Sequence, residues 1–494
     1  MCLNEELESL KRDNSTPKNF AKACFKLANQ YRKKGEYEKA KSIYLEIKEE
    51  DSELVFSYAS YHLGCISWFE LANDDAISYL KKINEKYKYI YSRSMYLLGD
   101  IFKGKKDFDK AIEYLNKINK DNIKDFLYYK AQYFLGVITR DYLENSEKSY
   151  EYFNSSKKYF YYETKKELFC MENSNNKETI NSIYRCVTDI LSILKIEDDK
   201  FGYEKYVAHY TSPSVAFNLL DKNGSYLRLN TVKNVNDPKE GKILKEYLDI
   251  SSTLESKHSL ILISCFTFNH DSLNQFRLYG KENNLEASGV SIVFNNGFFN
   301  NQNNRINFIG NIEDKSIEDK KFIEKLPLYR CIYIDPDSKD KYINIAHRGN
   351  ITFYRDGKSG DIKNYLDYIE EKNSKVIENL NKISRFIKEL SFDDAKCKDE
   401  VINFLLLPIT FLVKHAAFED EQECRIIYLT DLKNKSIKTI DNKFMYIEYE
   451  YKINDYLHKI YLSSGAYKYE DFFIRLLNND QDVCLSKNPF RNKS

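Results

Sequence analysis

A leucine followed by a small residue recurs four times in the first third of the chain: Leu27-Ala28, Leu63-Gly64, Leu98-Gly99 and Leu135-Gly136, at steps of 36, 35 and 37 residues. Thirteen residues after each of the first three leucines stands an alanine (Ala40, Ala76, Ala111); the fourth unit has Ser149 there, after one extra residue. Four residues further on come Tyr44, Leu80, Leu115 and Phe153, and Ile47, Ile83 and Ile118 close the first three units. A fixed period constrains the fold strongly, because one such unit cannot bury its own apolar face and has to stack on the next. Residues 21–54 read as two amphipathic helices split at Lys34-Gly35-Glu36. The small residue lets the two helices of a unit approach, the alanine admits the next unit's first helix, and the large residues fill the space between layers.

This pattern resembles the tetratricopeptide repeat, whose period is about 34 residues. The resemblance covers roughly residues 20–156, and the fourth unit is degenerate, as terminal units are. Cys24 stands where the family often has Trp, and Ser52 where it often has Pro. It implies an all-α solenoid over residues 1–170 with a concave groove for a protein or peptide partner; the alternative is a scaffold that packs only on the chain's own second half. Tyr31, Tyr58 and Phe102 are candidate groove residues. Residues 99–106 imitate a phosphate-binding G-x-x-x-x-G-K loop, but no strand precedes them, and Lys106 stands where magnesium binding needs Ser or Thr. Helices expected at 157–169 and 177–194 would cap the array, with 171–202 serving as capping helix and linker.

Composition narrows the class. At 494 residues two to four domains are expected, at about 100–200 residues each. Lys+Arg of 76 against Asp+Glu of 75 leaves a net charge of +1, so no global field favours nucleic acid or membrane, although a local basic patch stays open. The start lacks a basic and an apolar signal region, and the longest apolar stretches, near 260–268 and 404–413, are too short to span a bilayer. Ten cysteines without a C-x-x-C pair read as reduced, buried residues. A cytoplasmic protein that binds no metal is the expectation.

From about residue 206 the pattern changes to short apolar runs between turn signals, at 206–210, 226–230, 260–268, 289–294, 329–334, 425–429 and 459–463. Helical stretches stand between them at 214–220, 240–247, 362–390 and 399–411. Strands and helices alternate without βαβ spacing, which predicts an α+β domain over 203–494 with a mixed or antiparallel sheet.

Five clusters carry candidate chemistry here. They are His209-Tyr210-Thr211; Leu227-Arg228-Leu229-Asn230 followed by Asn236-Asp237-Pro238-Lys239-Glu240-Gly241; Ser264-Cys265-Phe266-Thr267 followed by Gln275-Phe276-Arg277-Leu278-Tyr279-Gly280; residues 289–294; and the run from Lys414-His415 to Glu421-Gln422-Glu423-Cys424-Arg425. In that order they resemble a bacterial family known only as a domain of unknown function, number 2971, over about residues 203–470, with the Asn-rich stretch 295–328 matching poorly. Residues two apart on a strand share a face, so Glu421, Glu423 and Arg425 would form one polar ridge.

A second resemblance is to the His-Tyr-Glu arrangement of ADP-ribosyltransferase folds. It implies that His209, with Tyr210 and Thr211 beside it, holds the ribose of NAD as substrate, and that Tyr279 stacks on nicotinamide. Glu423 would be the catalytic carboxylate, Glu421 would place the acceptor, and Arg228 or Arg277 would meet the pyrophosphate. Breaking the ribose–nicotinamide bond develops positive charge on the sugar, which a fixed carboxylate stabilises. Repeat-plus-effector chains of this design suggest a toxin or phage-defence setting. Each residue also has a structural reading: His209 as a capping histidine, the acidic strand as an ion-pair network, Asn236-Asp237-Pro238 as an Asx turn, Tyr279 as core. The rival functions are a non-catalytic interaction scaffold and a metal-dependent hydrolase.

Overall fold

The computed structural model describes residues 3–14, 16–120, 127–197, 202–232, 239–250, 259–299, 306–310, 323, 325–338, 342–441, 443–478 and 482–489. The chain divides into two compact units, Met1–Phe160 and Tyr161–Ser494. Asn236-Asp237-Pro238 and most of the Asn-rich stretch lie outside the described residues.

The first unit is a stack of helix pairs: Pro17–Lys33 with Tyr37–Leu45, Glu53–Phe69 with Asn73–Lys81, Lys88–Gly104 with Phe108–Asn116, and Leu127–Asp141 with Ser146–Ser156. The repeat arithmetic is visible as sterics. A Cβ added at Gly64, Gly99 or Gly136 would stand 2.7 Å from Leu80, Leu115 or Phe153, the large residue of the same unit's second helix. Ala40, Ala76 and Ala111 are fully buried, and Ser149 takes their place by donating its hydroxyl to the Gly136 carbonyl, 2.8 Å away. Each first helix ends in a left-handed residue: Gly35, Leu71, Lys106 and Glu144. Only glycine adopts that conformation freely; the other three carry roughly 1–2 kcal/mol of strain each, which packing offsets. Residues 99–106 are thus a helix end and its turn. Phe102, expected in the groove, is instead buried and stacked on Tyr114 at 5.4 Å.

The second unit is α+β. Its thirteen described strands are β1 (Tyr206–Thr211), β2 (Leu227–Thr231), β3 (Ser259–Thr267), β4 (Val290–Asn295), β5 (Tyr329–Arg330), β6 (Ile332–Ile334), β7 (Ile343–Ile345), β8 (Val413–His415), β9 (Glu423–Asp431), β10 (Lys438–Ile440), β11 (Phe444–Tyr449), β12 (Leu457–Leu462) and β13 (Val483–Leu485). Ten form one sheet, ordered β10-β11-β2-β3-β1-β4-β12-β13, with β9 paired to β3 and β5 to β9; β7-β6-β8 form a second. The run expected as one strand at 329–334 therefore divides at Cys331, which bonds to the Glu423 carbonyl and accepts from Ala346. The helices Tyr161–Glu172 and Lys177–Leu194, expected as caps of the array, belong to this unit. Ile183, Val187 and Ile190 share a core with Leu380 and Ile383 of the helix Ile362–Glu389, and Tyr162 donates to the Leu405 carbonyl at 2.6 Å. Among the described residues no helix is long and apolar enough to cross a membrane.

Candidate active site

The large sheet splits. β9 pairs with β3 along its whole length, from Ser259 to Thr267. The other edge of β3 is shared: β2 takes Leu262 and Ile263, and β1 takes Thr267. Between these pairings Ser264, Cys265 and Phe266 face a gap, and a cavity of about 510 Å³ opens there, within the range that holds a small-molecule ligand. His209, Tyr210, Asn230, Tyr279, Lys414, Glu421, Glu423 and Arg425 line it, together with Glu240 and Phe418.

His209 fills part of the gap. Its Nδ1 lies 3.0 Å from the Cys265 carbonyl oxygen, which can only accept, so the ring proton sits on Nδ1 and Nε2 keeps its lone pair. Burial lowers its pKa more than that hydrogen bond raises it, so the imidazole is neutral. Tyr210 lines the cavity, but its hydroxyl is already engaged: it donates to the Asn269 carbonyl at 2.7 Å and accepts from the Ser272 amide at 2.9 Å. That pins the start of the helix Leu273–Leu278, which Ser272 caps, and Tyr279 follows at the helix end. Thr211 does not line the cavity; its carbonyl packs against Gly280. Gly280 has φ +71°, and a Cβ there would overlap the Thr211 carbonyl oxygen. Gly280→Ala is expected to cost about 2–3 kcal/mol, from left-handed strain plus a backbone clash. Urea titration of the full chain checks this; an unchanged midpoint would show that β1 and the Tyr279 turn are not in contact.

The acidic run departs from the expected ridge. Glu421 ends the 3₁₀ turn Ala416–Glu421, Gln422 is left-handed at φ 46°, and β9 starts only at Glu423. The break is held from three sides. Thr267 Oγ1 and Gln275 Nε2 donate to the Glu421 carbonyl at 2.7 and 3.1 Å, and the Gln422 side chain accepts from the His347 amide at 2.6 Å. Glu421 and Glu423 meet nonetheless, because Lys414 Nζ sits 2.5 Å from a carboxylate oxygen of each. Glu421 also accepts the Tyr279 hydroxyl at 2.7 Å. Arg425 shares the Glu423 face as expected, its Nε 2.7 Å from Glu423, and forks onto Glu240 and the Phe411 carbonyl.

The two carboxyls are driven apart. Burial raises the Glu421 pKa more than Lys414 lowers it, and the Glu423 charge pushes the same way. Burial opposes the ionised form of Glu423 too, but Arg425 and Lys414 outweigh it and hold this carboxyl well below the usual range. Burial, then the Glu421 charge, pushes the Tyr279 phenol up. Two neighbouring acids with opposite shifts are the pattern that divides proton-handling roles in enzymes.

Of the sequence-derived candidates, His209, Tyr210, Tyr279, Glu421 and Glu423 come together. Thr211, Arg228 and Arg277 do not line the cavity. Arg228 is exposed on β2, on the face of Asn230, with its guanidinium 4.5 Å from the Tyr446 ring; Arg277 is exposed on its helix. Lys414 and Glu240 were not singled out, although both stand inside the quoted clusters. A buried E-x-E-x-R run lacks one cation for its second carboxylate, and Lys414, seven residues upstream of Glu421, supplies it.

The fold defines a helical-repeat array joined to an α+β unit whose split sheet encloses a charged cavity. Residues 21–53 and 92–120 match the tetratricopeptide repeat, and residues 275–426 match the family described as protein of unknown function DUF2971. A search of curated proteins finds no match. The chain thus carries tetratricopeptide repeats and a DUF2971 domain, and neither match points to ADP-ribosylation. The DUF2971 match takes in Tyr279, Lys414, Glu421, Glu423 and Arg425 but begins after β1 and His209.

Proposed function

We propose that the second unit is an enzyme that cleaves or transfers at the ribose–nicotinamide bond of NAD, and that the repeat array docks a protein or peptide partner. The observation that supports the enzyme reading is convergence: an imidazole, a phenol and two carboxylates, more than 200 residues apart at the extremes, line one cavity. Neutral His209 offers Nε2 to a ribose hydroxyl. Tyr279 offers a ring whose hydroxyl is already bound to Glu421. We assign the reacting role to Glu421. Glu423 is matched by two cations, which cancel much of its field, whereas among the described residues Glu421 pairs with one cation, Lys414. The bond to nicotinamide breaks with its electron pair leaving on the ring nitrogen, and the acceptor that attacks the sugar gives its proton to Glu421.

The test is calorimetric titration of the full chain with NAD, followed by chromatography for nicotinamide. Saturable binding with slow release of nicotinamide, lost in His209→Ala, is expected. Neither binding nor turnover would leave the charged cluster a structural network.

A further inference from the structure

Among the described residues that line the split-sheet cavity, five carry charge: Glu240, Glu421 and Glu423 against Lys414 and Arg425. Both cations are already committed. Lys414 Nζ stands 2.5 Å from Glu421 and from Glu423, and Arg425 reaches Glu423 through Nε at 2.7 Å and Glu240 through Nη2 at 3.1 Å. All five side chains are at most 10% exposed, so salt and water screen these pairs weakly. Three acids on two bases leave the wall one carboxylate in excess. An anion entering here would have to strip a buried cation from its carboxylates and leave a charge unpaired in the interior.

The rest of the wall suits a cation. Tyr279 donates its hydroxyl to Glu421 at 2.7 Å, so a flat ring stacked on the phenol lies beside that carboxylate. Phe418 lines the same cavity and holds the Lys414 ammonium 4.9 Å from its ring centre, and Phe444, 47% exposed, adds an aromatic face on the solvent side. Aromatic faces attract cations through the ring quadrupole. Arg228 and Arg277, the expected partners of a diphosphate, do not line the cavity. We infer that the cavity selects a cationic pyridinium riboside and seats no diphosphate, so that the free nicotinamide nucleoside is a better substrate than the dinucleotide. This rests on the reading that the second unit breaks the ribose–nicotinamide bond, and it narrows which molecule carries that bond. With water as acceptor, the carbon–nitrogen bond breaks with its electron pair on the ring nitrogen, a carbon–oxygen bond forms, and the water's proton goes to Glu421. The products are ribose and neutral nicotinamide, and the ring loses the charge that held it against the acidic wall.

The test is calorimetric titration of the full chain with nicotinamide riboside, its reduced and uncharged form, NAD and ADP-ribose, with chromatography for released nicotinamide. The oxidised riboside is expected to bind about tenfold tighter than its reduced form or NAD, and ADP-ribose to bind weakest. Nicotinamide should be released faster from the riboside than from NAD. Asn230→Lys places a new cation on the exposed face of β2 where it lines the cavity, and should narrow the gap between riboside and NAD about tenfold with circular dichroism melting unchanged. A wild-type protein that binds and cleaves NAD as well as the riboside or better, or that binds the two riboside forms equally, overturns the inference and leaves the ribose–nicotinamide reading standing. Absence of binding and of nicotinamide release with both NAD and the riboside overturns both.

Discussion

Replacing Glu423 with glutamine is expected to destabilise the second unit by about 3–5 kcal/mol, the range for breaking a buried ion pair from one side. Lys414 and Arg425 are each at most 5% exposed, and Glu423 is the carboxylate they share. Glutamine keeps the shape but leaves two buried cations close together, with only Glu421 and Glu240 to balance them. Glu421→Gln should cost about 1 kcal/mol or less, because the raised pKa of Glu421 means that its ionised form gains little from the fold. Urea midpoints of the two variants at neutral pH measure the contrast, and equal midpoints would refute it. The pH dependence has opposite signs at the two sites. The native pKa of Glu423 lies below its unfolded value, so its contribution is fully present above about pH 4.3 and lost as pH falls through the native value. The native pKa of Glu421 is raised, so its contribution is fully present below about pH 4.3 and lost as pH rises through the higher native value. The acid limb of the wild-type stability curve should therefore be steeper than that of Glu423→Gln.

The repeat array was legible because its information is local. A glycine that must admit Leu80 or Leu115 recurs at a fixed step, and the same glycine–leucine contact closes each pair. The caps were misassigned for the opposite reason. The apolar stripe through Ile180, Ile183, Val187 and Ile190 identifies a helix, but nothing in it says that Leu380 and Ile383, some 200 residues later, cover it. The strand at 329–334 failed because a continuous apolar run does not record that β5 and β6 serve different sheets on either side of Cys331. At the cavity, His209, Tyr279, Glu421 and Glu423 were readable as chemistry-bearing residues. Their meeting place was not, because it depends on β1 and β2 sharing one edge of β3, a long-range pairing without a periodic signature. The even spacing of Glu421, Glu423 and Arg425 predicted a shared face. Left-handed Gln422 breaks that alternation, and Lys414 restores the contact from another strand.

The same geometry separates the two acids by function. If NAD is the substrate, Glu421→Gln is expected to lower the rate of nicotinamide release by about two to four orders of magnitude while the protein stays folded, because a positioned proton acceptor contributes on that scale. Glutamine's carbonyl oxygen can still accept from Lys414 and its amide can donate to the Tyr279 oxygen, but it cannot take the acceptor's proton. NAD affinity should change little, since His209 and the rest of the wall are untouched. The pH profile is the more specific readout. Only ionised Glu421 accepts a proton, so the wild-type rate should rise with pH through a value above the ordinary glutamate range, and the variant should lack that limb. Lys414→Met removes a cation that lowers the Glu421 pKa and should move the limb to higher pH. A Glu421→Gln protein that turns over NAD like wild type, beside a folded but inert Glu423→Gln protein, would reverse the assignment and make Glu423 the carboxylate that meets the sugar.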